Sequence, residues 1–154
     1  MAEDREYCTF NLAGQTFGID VLHVQEVIRP QRLTRVPLAS SVIRGLMNLR
    51  GQIVTVLDLR RRLELPERDD IENSLNVVVQ TADGAVSLLV DEVGDVIRVL
   101  TADREPPPDT LNGIPAQLIS GVYPLADRLL MILEIGPIVN FDPMQTDPPL
   151  ENHR

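Results

Sequence analysis

Apolar residues along the chain fall into short runs rich in valine and isoleucine, most of them bounded by Gly, Pro, Asp or Asn. Runs of that length and composition predict many short β-strands. In the first half, strands are expected over Tyr7–Leu12, Thr16–Val21, Gln31–Val36, Ile43–Leu49 and Ile53–Leu57. In the second half they are expected over Leu75–Thr81, Ala85–Val90, Val93–Leu100, Leu118–Pro124 and Leu129–Glu134. Asp83-Gly84 between two apolar runs reads as a hairpin turn. Helix is a minority. The segment 21–28, VLHVQEVI, fits two helical turns or a bent strand, and its length is too short for periodicity to decide. The segment 58–65, DLRRRLEL, reads better as helix, with Asp58 as its cap, Leu59 and Leu63 on one packed side, and the arginines toward water. Three prolines at 106–108 predict a stiff loop, and the polar, proline-rich stretch 142–154 predicts a disordered tail.

Self-comparison adds organisation to this list. Shifted by 76 residues, IRGLMNLRGQIVTVLDL (43–59) lies over ISGVYPLADRLLMILEI (119–135), with Ile43, Gly45, Leu49 and Leu57 meeting identical residues and Asp58 meeting Glu134. Shifted by 69, VLHVQEVI (21–28) lies over VDEVGDVI (90–97), and Glu26 falls on Asp95. Two matching blocks in the same order predict two similar β subdomains, about 7–65 and about 75–139, inside one domain covering 1–141. A small antiparallel lobe hides its edges by closing on itself, so two barrels sharing an apolar seam are expected. At 154 residues, such a domain buries roughly 70% of its unfolded surface.

Composition then removes function classes. No apolar run reaches the roughly 18 residues of a membrane span, and the acidic N-terminus lacks the basic and apolar regions of a signal peptide. A single cysteine, Cys8, forms no intramolecular disulfide and no thiolate metal cluster, which fits a reducing cytoplasm. The net charge of −9 hides a basic stretch: Arg29, Arg32, Arg35, Arg44, Arg50, Arg60, Arg61 and Arg62 are opposed only by Asp58 between residues 29 and 62. Single-stranded nucleic acid calls for aromatic stacking platforms, and residues 18–122 contain no Phe, Tyr or Trp. Catalytic parts are also missing: His23 and His153 are far apart, Cys8 reads as a buried thiol, and Asp91-Glu92 and Asp69-Asp70 are adjacent carboxylates that point apart on a strand or sit in loops. No metal site and no cofactor is expected.

Arg50 stands out. It occupies a hairpin corner between two apolar strands, where the second repeat has Ala126-Asp127 in place of Arg50-Gly51. The hairpin therefore does not need the charge. Arg50 is then either a solvated turn residue, paired locally with Asp58 or Glu26, or a functional group.

The blocks FGIDVLHVQEV (17–27), VIRGLMNLRGQIVTVLDLR (42–60), LLVDEVGDVI (88–97) and LISGV…DRLLMILEI (118–135) come in the order and spacing of CheW-like coupling proteins. The resemblance runs from about Tyr7 to Phe141 and departs from the family at Thr55, where proline is usual, and in its C-terminal tail. It implies a mostly β fold of two SH3-like five-stranded barrels packed together with short helices, and no catalysis. It also implies a cytoplasmic adaptor, recruited to receptor arrays, that couples methyl-accepting chemoreceptors to the regulatory domain of a CheA-type histidine kinase. Neither nucleic acid nor membrane insertion is implied. The same resemblance carries Arg50, Glu26 and Val24 over as receptor-binding residues, with Asn48, Leu49 and Gly51 as the frame that presents Arg50. Two alternatives remain open: the same coupling in a pathway for pili, surface sensing or biofilm, and a small β-barrel module that binds acidic ligands or nucleic acid through the arginines of 29–62.

Overall fold

Residues 3–67, 73–109 and 113–144 are described by the computed structural model. Ten strands form two five-stranded sheets. They are β1 (Asp4–Leu12), β2 (Gln15–Asp20), β3 (Val24–Ile28), β4 (Ile43–Leu49), β5 (Gln52–Asp58), β6 (Leu75–Thr81), β7 (Gly84–Val90), β8 (Glu92–Leu100), β9 (Ile119–Pro124) and β10 (Leu129–Leu133). Two short helices, α1 (Leu59–Arg62) and α2 (Ile135–Val139), follow β5 and β10. The chain is mostly β, as expected. The segment 21–28 resolves into a single 3-10 turn over Val21–His23, capped by the Asp20 carboxylate on the Leu22 N–H, and then β3.

The sheets run β8-β1-β2-β10-β9 and β3-β6-β7-β5-β4. This corrects the expected division into successive halves 7–65 and 75–139. β1 and β2 leave the first half and join β8–β10, through antiparallel pairing of β1 with β8 and parallel pairing of β2 with β10. The repeat itself is real, but circularly permuted. Adding 76 to each residue of β4 and β5 reproduces the pairing of β9 with β10: Ile43↔Leu57 becomes Ile119↔Leu133, Gly45↔Val56 becomes Gly121↔Ile132, and both ladders carry the same bulge. Adding 69 to β3 and subtracting 69 from β6 turns Val27↔Val77 into Val96↔Cys8 and Ile28↔Asn76 into Ile97↔Tyr7. The parallel pair Thr55↔Val86 maps in the same way onto Met131↔Phe17.

Three apolar clusters follow from this arrangement. The largest gathers residues of both sheets, among them Phe10, Phe17, Leu57, Val77, Leu88, Leu118 and Ile138. Burying one face of each sheet against the other gives the chain the core that either five-stranded unit alone would lack. A second cluster lies within the first unit, β3–β7, around Met47, Val54, Val56 and Val78, and a third within the second unit, β1, β2 and β8–β10, around Tyr7, Tyr123, Leu130 and Ile132. The last is built around Gly18, where an added Cβ would stand 3.1 Å from Leu130 Cδ1 and 3.2 Å from Tyr7 Cβ. At the matching position of the first unit, Ser87 fits and donates to the buried Asn76 at 2.8 Å. Burial and the neighbouring Tyr123 push the Tyr7 phenol up to about 12.

Two further expectations change. No strand forms over Gln31–Val36. That segment pairs with the sheet only at Thr34, which exchanges two 2.8 Å hydrogen bonds with Leu46. The arginines of 58–65 do not face water. Asp58 caps α1 on the Arg61 N–H as expected. Arg60, however, clamps Asp91 through two bonds of 2.9 and 2.5 Å, with both side chains only 15% exposed. Arg62 donates to the carbonyls of Ile138 and Pro137 at 2.7 Å each and lies over the Phe141 ring. A one-sided helix pattern looks toward a single core, whereas α1 is wedged between two units, so its polar side also finds protein. Of the expected tail 142–154, residues 145–154 lie outside the described residues; Pro143 accepts a 2.9 Å bond from the Ser40 N–H.

Candidate functional site

β4 and β5 pair down to Leu49↔Gln52, which leaves Arg50 and Gly51 as a two-residue loop. Their φ angles are 53° and 87°. Two successive positive values define the type I′ turn that suits the twist of a tight hairpin and ordinarily selects Asn, Asp or Gly. Gly51 meets the requirement freely. Arg50 adopts the left-handed region against a steric cost of roughly 1–2 kcal/mol. The neighbouring residues hold the turn: Asn48 Oδ1 accepts from the Gly51 N–H at 2.8 Å, and Leu49 is buried beside Met47, Val54 and Val56.

From this corner Arg50 reaches across to β3 and donates through Nη2 to Glu26 Oε2. The same oxygen accepts from Gln25 Nε2 at 3.1 Å, and Gln80 Nε2 donates to Gln25 Oε1. The Arg50 hydrogen bond, then that of Gln25, holds the Glu26 carboxyl below the usual carboxylate range. Glu26 is one-quarter exposed at its side chain, whereas Arg50 is two-thirds exposed, so its remaining N–H groups face solvent. A bulge between Val24 and Glu26 turns the strand here, and half-buried Val24 packs against the main core. The structure thus brings the β4–β5 turn, with Asn48, Leu49, Arg50 and Gly51, against Glu26 on β3, the strand at the other edge of the same sheet, and places Val24 beside them as a packing residue. Asp58, the other local partner considered for Arg50, is taken by Arg44 and Arg61.

The second unit shows what the site does without. Its β9–β10 connection is a four-residue loop, 125–128, closed by Leu125 N–H to Arg128 O at 2.7 Å. None of its residues has a positive φ. Asp95, the counterpart of Glu26, offers its backbone carbonyl to Thr9 Oγ1 at 2.6 Å. An exposed ion pair contributes little to stability, which does not offset the backbone cost of Arg50. Strain kept at an exposed corner, and absent from the equivalent corner, points to a role outside the fold.

The other candidates resolve differently. Cys8 is buried, and burial pushes its thiol up. His23 is exposed on the 3-10 turn; His153 and Asp69-Asp70 lie outside the described residues. Asp91 serves Arg60 and also accepts from the Ala13 N–H at 3.1 Å. Half of the basic belt of 29–62 is taken into the fold, since Arg44, Arg60, Arg61 and Arg62 are engaged there, while Arg29, Arg32 and Arg35 are exposed. Sequence reasoning missed the clamps at Arg60 and Arg62. The 76-residue shift carried a signal for the second, because it lays α1 over α2.

Comparison with known proteins agrees with this architecture. The chain is 31% identical to the chemotaxis protein CheW of Bacillus subtilis over 140 residues, covering 91% of this chain and 90% of that protein. It is 28% identical to the chemotaxis protein CheW of Treponema pallidum over 148 residues, covering 93% and 86%. The crystal structure of the scaffolding protein TtCheW from Thermoanaerobacter tengcongensis superposes with a TM-score of 0.83 at 27% identity, over 90% of this chain and 94% of that one. The CheW-like domain matches residues 6–142, and the chain belongs to that family.

Proposed function

We propose that this chain, a chemotaxis scaffold of the CheW family and not an enzyme, couples methyl-accepting chemoreceptors to the regulatory domain of a CheA-type histidine kinase. In this reading it works in the cytoplasm and is drawn to receptor arrays by its partners; among the described residues no helix is long and apolar enough to cross a membrane. Arg50 is the receptor contact. The observation that carries this is an exposed arginine held at φ 53° on a rigid turn, with Glu26 fixing one edge of its guanidinium and the rest free.

A guanidinium presented this way suits a carboxylate or a row of helix carbonyls, and it approaches the partner with little ordering still to be lost. Asn48, Leu49 and Gly51 hold the turn, Glu26 orients the charge, and Val24 supports β3 from beneath. Arg50→Glu should weaken binding of a soluble receptor signalling fragment by about 2–4 kcal/mol, because a desolvated charged contact becomes repulsive. Thermal unfolding should hardly move. Receptor binding that survives the change, measured by titration calorimetry, would remove Arg50 from the contact; a large loss of stability would return it to the scaffold.

A further inference from the structure

Twelve arginines lie among the described residues, and nine of them give their side chains to a carboxylate or a backbone carbonyl. Among the described residues, Arg29, Arg32 and Arg35 alone make no such contact, although the chain carries 23 acidic residues. All three are exposed and stand three apart on the connection from β3 to β4. Burial on that connection has the same period: Leu33, Val36 and Ala39 are half-buried while the residues between them are exposed. One side of the segment therefore sits on the fold and the other presents a line of guanidinium groups.

The segment is held firmly. Thr34 is bonded twice to Leu46, and Leu33 packs on the core of the first unit. Gly45 admits this close approach, since a Cβ there would lie 2.7 Å from Thr34 O. At the far end the Val36–Ala39 turn puts Leu38 at φ 63°, 77% exposed. An apolar, solvated side chain in the left-handed region gains nothing for the fold, where glycine or asparagine would sit without strain.

We infer that residues 29–38 form a preformed docking strip for an acidic segment of a partner protein, with Leu38 as its apolar contact. This strip shares no residue with the Arg50 site. Charge complementarity selects the occupant. Beyond a screening length of about 8 Å a short acidic segment meets only the local arginines. A long polyanion such as DNA also meets the rest of a chain of net charge −9. The strip has no aromatic residue to stack on bases, and an exposed leucine serves a protein partner better than a phosphate backbone.

The test uses the full chain and a fluorescein-labelled dodecapeptide of alternating Glu and Asp with one leucine, followed by anisotropy. Saturable binding that weakens as salt is raised is expected. The variant Arg29→Gln/Arg32→Gln/Arg35→Gln should bind about tenfold more weakly, and Leu38→Ser should also lose affinity, with unfolding curves unchanged for the triple variant because those exposed side chains give no carboxylate or carbonyl a hydrogen bond. Arg50→Ala should bind the peptide as the parent does. Absence of saturable binding, an unchanged affinity in the triple variant, or displacement of the peptide by duplex DNA more readily than by unlabelled peptide would overturn the proposal.

Discussion

The β4–β5 hairpin with β3 and the β9–β10 hairpin with β8 are built on one plan, pair by pair, yet only the first holds an arginine in the left-handed region at its turn. In the first, a strained Arg50 is steadied by Glu26. In the second, a relaxed four-residue loop carries Ala126-Asp127, and the strand opposite offers Thr9 a backbone carbonyl. Two copies of the same ladder form an internal control. What both keep is needed for the fold, namely the bulges, the parallel pairing and the buried apolar positions. What only one keeps must be explained in other ways. Some of these one-sided features are structural, as with Arg60, whose counterpart is Gly136. Others, such as Arg50, gain the fold nothing obvious.

The largest effect is expected where asymmetry joins the two units. Arg60 leaves α1 in the first unit and clamps Asp91, which precedes β8 of the second. Asp91→Ala leaves a mostly buried guanidinium without its carboxylate and removes an acceptor from the Ala13 N–H, so about 3 kcal/mol of stability should be lost. Urea unfolding reads this directly. A loss below about 1 kcal/mol, the size of an ordinary surface ion pair, would show that the Arg60–Asp91 clamp adds little to the joining of the units.

Much of this comparison was legible from the sequence. The shifts of 69 and 76 found β3, β4 and β5 over β8, β9 and β10, because alternation of apolar residues and the glycine at 45 and 121 survive in both copies. The permutation was not legible. β1 and β2 stand 69 residues before the β6 and β7 they match, but their interior positions have changed chemistry: Asn76 against Tyr7, Ser87 against Gly18, Leu89 against Asp20. Strand partners are also set by tertiary closure, which local patterning does not encode. The same limit explains the Arg60–Asp91 and Arg62–Pro137 contacts, which span 31 and 75 residues. At the site, Arg50 is singled out by its absence from the second copy; its backbone conformation and the Gln25–Gln80 support of Glu26 arise only from the folded arrangement of the strands.

A smaller effect should follow from copying an interior residue between units. Gly18→Ser gives the second unit the residue that the first holds at Ser87. There, Ser87 donates to Asn76. At Gly18 the new Cβ meets Leu130, Tyr7 and Ile132 at 3.1 to 3.4 Å, and Tyr7 takes the place of the asparagine. Overpacking of this kind costs about 1–3 kcal/mol, measured as a drop in the urea midpoint at unchanged slope. The reciprocal Ser87→Gly should also destabilise, by taking the donor from the buried Asn76 Oδ1. If Gly18→Ser is neutral, the two interiors are interchangeable and the aromatic pair is not what fixes glycine there.

The smallest stability effect should be at the tip. The folded-state ionisation of Glu26 is depressed by Arg50 and Gln25. The charged form is therefore favoured in the native chain, and whatever the pair contributes is present above the ordinary glutamate range, near about pH 4.3, and lost as pH falls through the depressed value. Unfolding of the parent and of Arg50→Ala should consequently almost coincide at neutral pH, with any small difference disappearing in acid and in high salt. Arg50→Gly should be at least as stable as Arg50→Ala, because glycine adopts φ 53° without strain. A parent markedly more stable than both variants at neutral pH would mean that the Arg50–Glu26 contact fastens the open edge of the first unit. The two tips would then differ because one unit needs a clasp, and the case for Arg50 as a receptor contact would lose its structural support.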